Sequence, residues 1–225
     1  MKARVICFGA GGHASVVVDL MQLLAEKDAL EIVGLVAAES DTDVLGVPVL
    51  GTDEALADIV ARSSATHFIV AIGSIRGGGV VRPRLFAAGL SAGLVPFTAV
   101  HPTASVARSA MIGPGATIMA GAVVQARARI GANAIVNTRA SVDHDSRVED
   151  HAHLAPGVTC SGGVRIGENA HVGAGAVIIE NIKIGEAATI GAGAVVISDC
   201  PAGTTVIGIP ARPRPARDPG SDQSR

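Results

Sequence analysis

Residues 166–195 read IGENAH-VGAGAV-IIENIK-IGEAAT-IGAGAV, five consecutive sixes that each begin with Ile or Val. The same register runs back without insertion to Val100 and forward to Pro201, which makes seventeen hexads. The first position is Val, Ile or Leu in sixteen of them, with Cys160 the exception. The fifth is Ala in twelve, and otherwise Ser146, Val158, Val164, Ile182 or Cys200. A period of six is neither the 3.6 of a helix nor the 2 of a half-buried strand. It is the period of a hexapeptide β-helix, in which three hexads close one coil around a narrow interior. One aliphatic and one small side chain per hexad fill that interior, and an aromatic ring does not fit.

The aromatic content obeys this limit. The 225 residues contain no Trp or Tyr, and the four Phe (Phe8, Phe68, Phe86, Phe97) all precede the repeat. The chain therefore divides into residues 1–99 and 100–212, followed by a Pro- and Arg-rich tail, 213–225, that reads as disordered. In the first part, apolar runs at Val5–Phe8, Ile32–Val36 and Phe68–Ile72 alternate with helical stretches at Ala14–Leu24, Asp53–Arg62 and Val80–Ala88. This alternation predicts a small Rossmann-like parallel sheet flanked by helices. Gly9-Ala10-Gly11-Gly12-His13 after the first strand fits a phosphate-approaching glycine turn at a helix N-terminus. A dinucleotide site would also need an acid at the end of the second strand, where Val36-Ala37-Ala38-Glu39 stands, with no acid at the strand end proper.

Lys and Arg total 18 against 20 Asp and Glu, a net charge of -2, which argues against a nucleic-acid or acidic-membrane binder. Three cysteines without a CxxC fit a reducing compartment. The apolar run before Gly9 is too short for a secretory leader, and no stretch approaches a membrane span. The expectation is a soluble, cytoplasmic protein without membrane insertion. The repeat also presents wide Ala, Val and Gly faces poor in charge, which should be buried against a partner.

The repeat closes with Gly208-Ile209-Pro210-Ala211-Arg212, a motif that ends hexapeptide acyltransferases. Together with Gly9–His13, Asn137-Thr138 and Asp143-His144-Asp145, it makes residues 3–212 resemble the sialic-acid O-acetyltransferase and bacillosamine-type aminosugar N-acetyltransferase family. The resemblance implies a left-handed β-helix, a homotrimer, and acetyl-CoA bound between subunits. It implies transfer of an acetyl group to the amine of a nucleotide-linked aminosugar, with no metal, in polysaccharide biosynthesis. Sugar O-acetylation is the alternative.

In the resembling family the proton-accepting His is followed by an acid, which maps to His144 and Asp145. The family often has Glu there, and Asp is shorter. Arg127, one coil below, is a competing partner for Asp145. His153 maps to a residue that contacts acetyl-CoA near the acetyl carbonyl, with a structural ladder onto His171 as the alternative. Gly162, Ala174 and Ala192 map to backbone contacts with the cofactor, where small residues let its arm approach main-chain N–H groups. Gly11, Gly12, His13, Gly73 and Asn137 map to the sugar-nucleotide side. Relatives hold uridine with an acidic pair where this chain has Ala37-Ala38, and their polar turn after Gly73 is here Ser74–Gly79, with Arg76 as a candidate phosphate cation. These departures predict weaker uridine selectivity. His67, His101 and His151 read as surface residues, and Cys160 as packing. A zinc-dependent β-helix like the gamma-type carbonic anhydrases, recruiting His144, His153 and His171, is a further alternative.

Overall fold

A computed structural model describes residues 2–26, 30–38, 43–73 and 79–214. The first domain contains β1 (Ala3–Phe8), α1 (Gly12–Ala25), β2 (Leu30–Val36), β3 (Val49–Gly51), α2 (Leu56–Ser63), β4 (His67–Val70), α3 (Val81–Ser91) and β5 (Val95–Pro96). The strands form one parallel sheet in the order β3-β2-β1-β4-β5. Helix α1 forms because Ala14, Val17, Val18 and Met21 recur at helical spacing and bury one face on the sheet. Phe68 stacks edge-on between Phe8 and Phe86, with ring centroids 5.7 and 5.4 Å away, and these rings fill the core beneath α3. The strand order reverses between β1 and β4, which opens a crevice at their carboxyl ends. At Gly9, φ is +114° and an added Cβ would lie 2.6 Å from Ile72 Cγ1, so only glycine lets the chain turn here into α1.

From Ala99 the chain winds into coils whose strands pair in parallel with residues eighteen away, as in Val124 with Val142 and Val136 with Leu154. Three sheets result. One contains Ile135–Val136, His153–Leu154 and His171–Val172; the second contains Val123–Val124 and Ser141–Val142; the third contains Arg129–Ile130 and Arg147–Val148. First-position residues such as Ile118, Val142 and Ile166 and fifth-position residues such as Ala134, Ala152 and Ala170 are fully buried. From Gly115 to Gly193 the fourth residue of every hexad turns the corner with φ between +52° and +72°, whether it is Gly, Asn, Arg, Asp, His or Ala.

Three expectations need correction. The last hexad is short by two residues: Cys200 bridges Ile184 and Val206 pairs with Ile190, both sixteen apart. Cys200 thus takes a first position rather than a fifth, because the closing Gly208–Arg212 segment must reach back to Val195, whose carbonyl accepts from Ala211 N. The tail does not begin at 213, since Arg212–Pro213 pairs antiparallel with Val206–Ile207; residues 215–225 lie outside the described residues. The repeat is also not uniformly poor in charge. Arg129, Arg147, Arg165 and Lys183 stack in register along the exposed face of the third sheet. Among the described residues no helix is long and apolar enough to cross a membrane.

Candidate active site

Asp145 occupies one of the left-handed corners, at φ +61°. This conformation turns the chain between the second and third sheets and places His144 on the outside of the bend. His144 Nδ1 donates to Asp145 Oδ2 at 2.8 Å, which leaves Nε2 as the basic nitrogen. Arg127, at the equivalent corner one coil below, grips the same carboxylate with Nε at 2.6 Å and Nη2 at 2.8 Å. Asp145 therefore serves both partners at once. The hydrogen bonds from Arg127 and then His144 hold its carboxyl well below the usual carboxylate range. On the other side, the His144 ring lies over Gly162 of the next coil, where a Cβ would stand 2.6 Å from Cε1 and 2.7 Å from Nε2. Gly162 is the floor under the imidazole.

The second concentration of polar groups is a cavity of about 560 Å³ over the carboxyl ends of β1, β2 and β4. The glycine turn Gly11–Gly12 and His13 line its middle, and Gly73 and His153 line one end. Asp53, just after β3, and Arg84, on α3, form an ion pair at its lip beside Ala37 and Ala38. His13 lies 5.9 Å from His153, which lies 5.1 Å from His171, ring centroid to centroid. Burial, then the nearby Arg82 charge, lower the His13 pKa to about 4, so this ring is neutral at neutral pH. Its Nε2 is buried without a hydrogen-bond partner among the described residues. Asn137 Nδ2 donates to His153 Nε2 at 3.2 Å, and its carbonyl accepts from Thr138 N at 2.7 Å.

Arg82 joins the domains. It is buried, donates Nη1 to Ile72 O at 2.5 Å and Nη2 to Asn133 O, and burial lowers its pKa to about 10. Asn133 Nδ2 donates to His151 Nδ1 at 2.9 Å, and the His151 ring packs edge-on to Phe86 at 5.5 Å. His151 is therefore a partly buried docking residue and not a surface one, because the first domain rests on that corner of the β-helix. Arg82, Asp53 and Arg84 were not singled out in the sequence; each gains its meaning from a partner thirty or more residues away. Ser74–Gly78, including Arg76, lie outside the described residues.

One chain does not bring every expected residue together. His153 faces the first domain from the first sheet, whereas His144 sits on the corner joining the other two sheets. Ala174 and Ala192 are exposed and stack on the corner after the first sheet. His144 is thus kept apart from the His153–His171 pair that a zinc site would need it to join. Among the described residues no three metal-ligating side chains gather. Cys7 and Cys160 are buried, which pushes their thiols up to about 12 and removes them as nucleophiles.

Comparison with known proteins agrees with this architecture. Residues 4–77 match the family described as PglD N-terminal domain, and residues 163–198 match the bacterial transferase hexapeptide repeat. No curated protein sequence gives a significant match. Among solved structures, a histidine mutant of perosamine N-acetyltransferase from Caulobacter crescentus, in complex with CoA and GDP-perosamine, is 35% identical. The match covers 96% of this chain and 99% of that one, with a TM-score of 0.88. The acetyltransferase domain of PglB from Neisseria gonorrhoeae FA1090, in complex with acetyl coenzyme A, is 35% identical over 95% and 100% of the two chains, with a TM-score of 0.84. WeeI from Acinetobacter baumannii AYE is 27% identical over 95% and 100%, with a TM-score of 0.82. The fold is thus a Rossmann-like domain followed by the left-handed β-helix of hexapeptide acyltransferases. The chain belongs to the family of hexapeptide-repeat aminosugar N-acetyltransferases that includes the perosamine N-acetyltransferase.

Proposed function

We propose that this protein transfers the acetyl group of acetyl-CoA to the amine of a nucleotide-linked aminosugar, with His144 as general base. The observation that carries this reading is the exposed His144 imidazole, tethered through Nδ1 to a carboxylate that Arg127 holds ionised. Such an arrangement fixes the tautomer, presents Nε2 outward and stabilises the imidazolium that forms. The amine nitrogen attacks the thioester carbonyl and gives its proton to His144 Nε2. As the C–S bond breaks, that proton passes to the departing CoA sulfur. The buried, high thiols support direct transfer without an acyl-enzyme.

The cleft supports a nucleotide sugar as acceptor. Gly11, Gly12 and His13 open a helix N-terminus toward a diphosphate, and the orphaned His13 Nε2 calls for a ligand partner. Gly73, Asn137 and His153 lie where the sugar would pass from cleft to β-helix. Gly162, Ala174 and Ala192 offer close approach for the CoA arm along the solenoid. Because His144 and this cleft are on different faces of one chain, the working site is assembled between protomers, which supports a homotrimer in the family's manner. The three cysteines, all free thiols, support a cytoplasmic location, where acetyl-CoA is available. The test is release of CoA thiol on mixing acetyl-CoA with nucleotide-linked amino and hydroxy sugars. An acetylated amino product confirms the reading, and turnover of hydroxy sugars alone refutes it.

A further inference from the structure

The crevice of this site runs along the carboxyl edge of the sheet. His153 and Gly73 mark its chemical end, beside β4, and the glycine turn after β1 marks its middle. The far end lies beyond β2 and β3, where Ala37 and Ala38 contribute only methyl groups. Among the described residues, two side chains there are charged, Asp53 from the turn after β3 and Arg84 from the first turn of α3. Val81, Arg84 and Leu85 share one helical face and form the roof. Arg84 Nη1 bonds Asp53 Oδ2, so the guanidinium and the carboxylate sit side by side at the lip. Oδ1, the second lone pair of Oδ2 and the guanidinium's other N–H groups remain to meet a ligand.

We infer that Asp53 and Arg84 read the base of the nucleotide and select guanine, so that the acceptor is a guanosine diphosphate sugar. This rests on the nucleotide-sugar reading above. The adjacent pair offers a donor followed by two acceptor positions. Among the nucleobases, guanine alone presents the complement on one edge: the O6 acceptor, the N1–H donor and the N2–H donor. Uracil and thymine match the first two places, but set O2 against a carboxylate oxygen in the third. Adenine and cytosine place an amino group against the guanidinium. A site whose charged hydrogen-bonding groups face a mismatched partner discriminates strongly. The two alanines leave room for a purine, and about 560 Å³ lies within the ~300–1,000 Å³ usual for ligand cavities.

The experiment is calorimetric titration of the full chain with GDP, UDP, dTDP and ADP, repeated on Asp53→Asn and Arg84→Met. GDP should bind at least about tenfold more tightly than UDP. Asp53→Asn should weaken GDP by about tenfold or more while UDP holds or improves, because the new amide donates to O2 of uracil. Arg84→Met should weaken both, since both carry a keto oxygen. Equal or tighter UDP binding by the wild type overturns the base assignment alone. So does a loss in Asp53→Asn that is the same for every nucleotide, which would make Asp53 a structural partner of Arg84. If no nucleoside diphosphate binds while acetyl-CoA does, this inference and the nucleotide-sugar reading fall together.

Discussion

Replacing Gly162 with Ala tests the active site through a residue with no chemistry of its own. Its φ is not in the left-handed region, so the backbone accepts alanine. The new Cβ, however, would stand 2.6 Å from His144 Cε1 and 2.7 Å from Nε2. Ordinary carbon contacts are about 3.5 Å or more, so the ring must retreat by roughly 1 Å. It is free to do so, because its side chain is 60% exposed. Asp145 cannot follow, because Arg127 holds it through two bonds, so the 2.8 Å contact to Nδ1 is lost. A displacement of that size at a reacting group costs about a hundredfold in rate, or roughly 2.7 kcal/mol of barrier. Removing the base outright in His144→Ala should cost about 10²–10⁴-fold. The assay is the rate of CoA thiol release at saturating substrates, with CoA affinity measured separately. Gly162→Ala should lower kcat even at saturating acetyl-CoA. A weaker CoA affinity, expected because Gly162 also lies where the CoA arm approaches, is read separately and does not account for that loss. The double variant should match His144→Ala alone, since alanine at 144 has no ring to displace. A kcat within about threefold of wild type, or a further loss on the His144→Ala background, would refute the reasoning.

Acidification should weaken the first domain's docking. The folded His13 pKa of about 4 lies below its ordinary 6.5, so the unfolded chain binds more protons between these values. Stability is then complete above about pH 6.5 and is lost as pH falls toward 4, with His151 and His171 adding in the same direction. Denaturant midpoints at neutral pH and near pH 4.5 should differ less in His13→Gln than in wild type; an unchanged difference counts against this account. Ala152→Leu, inside the filled solenoid, should destabilise by about 1–3 kcal/mol in urea titration. Ala174→Leu, on an exposed corner, should leave stability alone and weaken CoA binding. Light scattering should report about three times the 22.4 kDa chain mass, and a monomer at micromolar concentration would contradict a shared site.

The hexads from Val100 onward determined the β-helix without structural help, because a six-residue period of one aliphatic and one small residue has only one use. The strands of the first domain were legible where apolar runs were long, as at β1 and β2. They were lost at β3 and β5, which are three and two residues long and carry no periodic signal. His144 and Asp145 stood out as a local motif, adjacent in the chain and matched to a family. The register break at Cys200 did not, because six-residue cutting continues through it and only the pairing with Ile184 shows the loss of two residues. Left-handed corners at Arg127, Arg139 and Ala187 are equally invisible in residue type, since the coil imposes that conformation on side chains that would not choose it. The floor under His144, the Arg127 grip, the Arg82 bridge and the Asp53–Arg84 pair depend on groups brought together by coiling and domain docking. Sequence specified the repeat and the adjacent His144-Asp145 pair, because both are local patterns. Tertiary structure decided which faces meet and what each polar group touches, because those contacts span eighteen to fifty-one residues of chain.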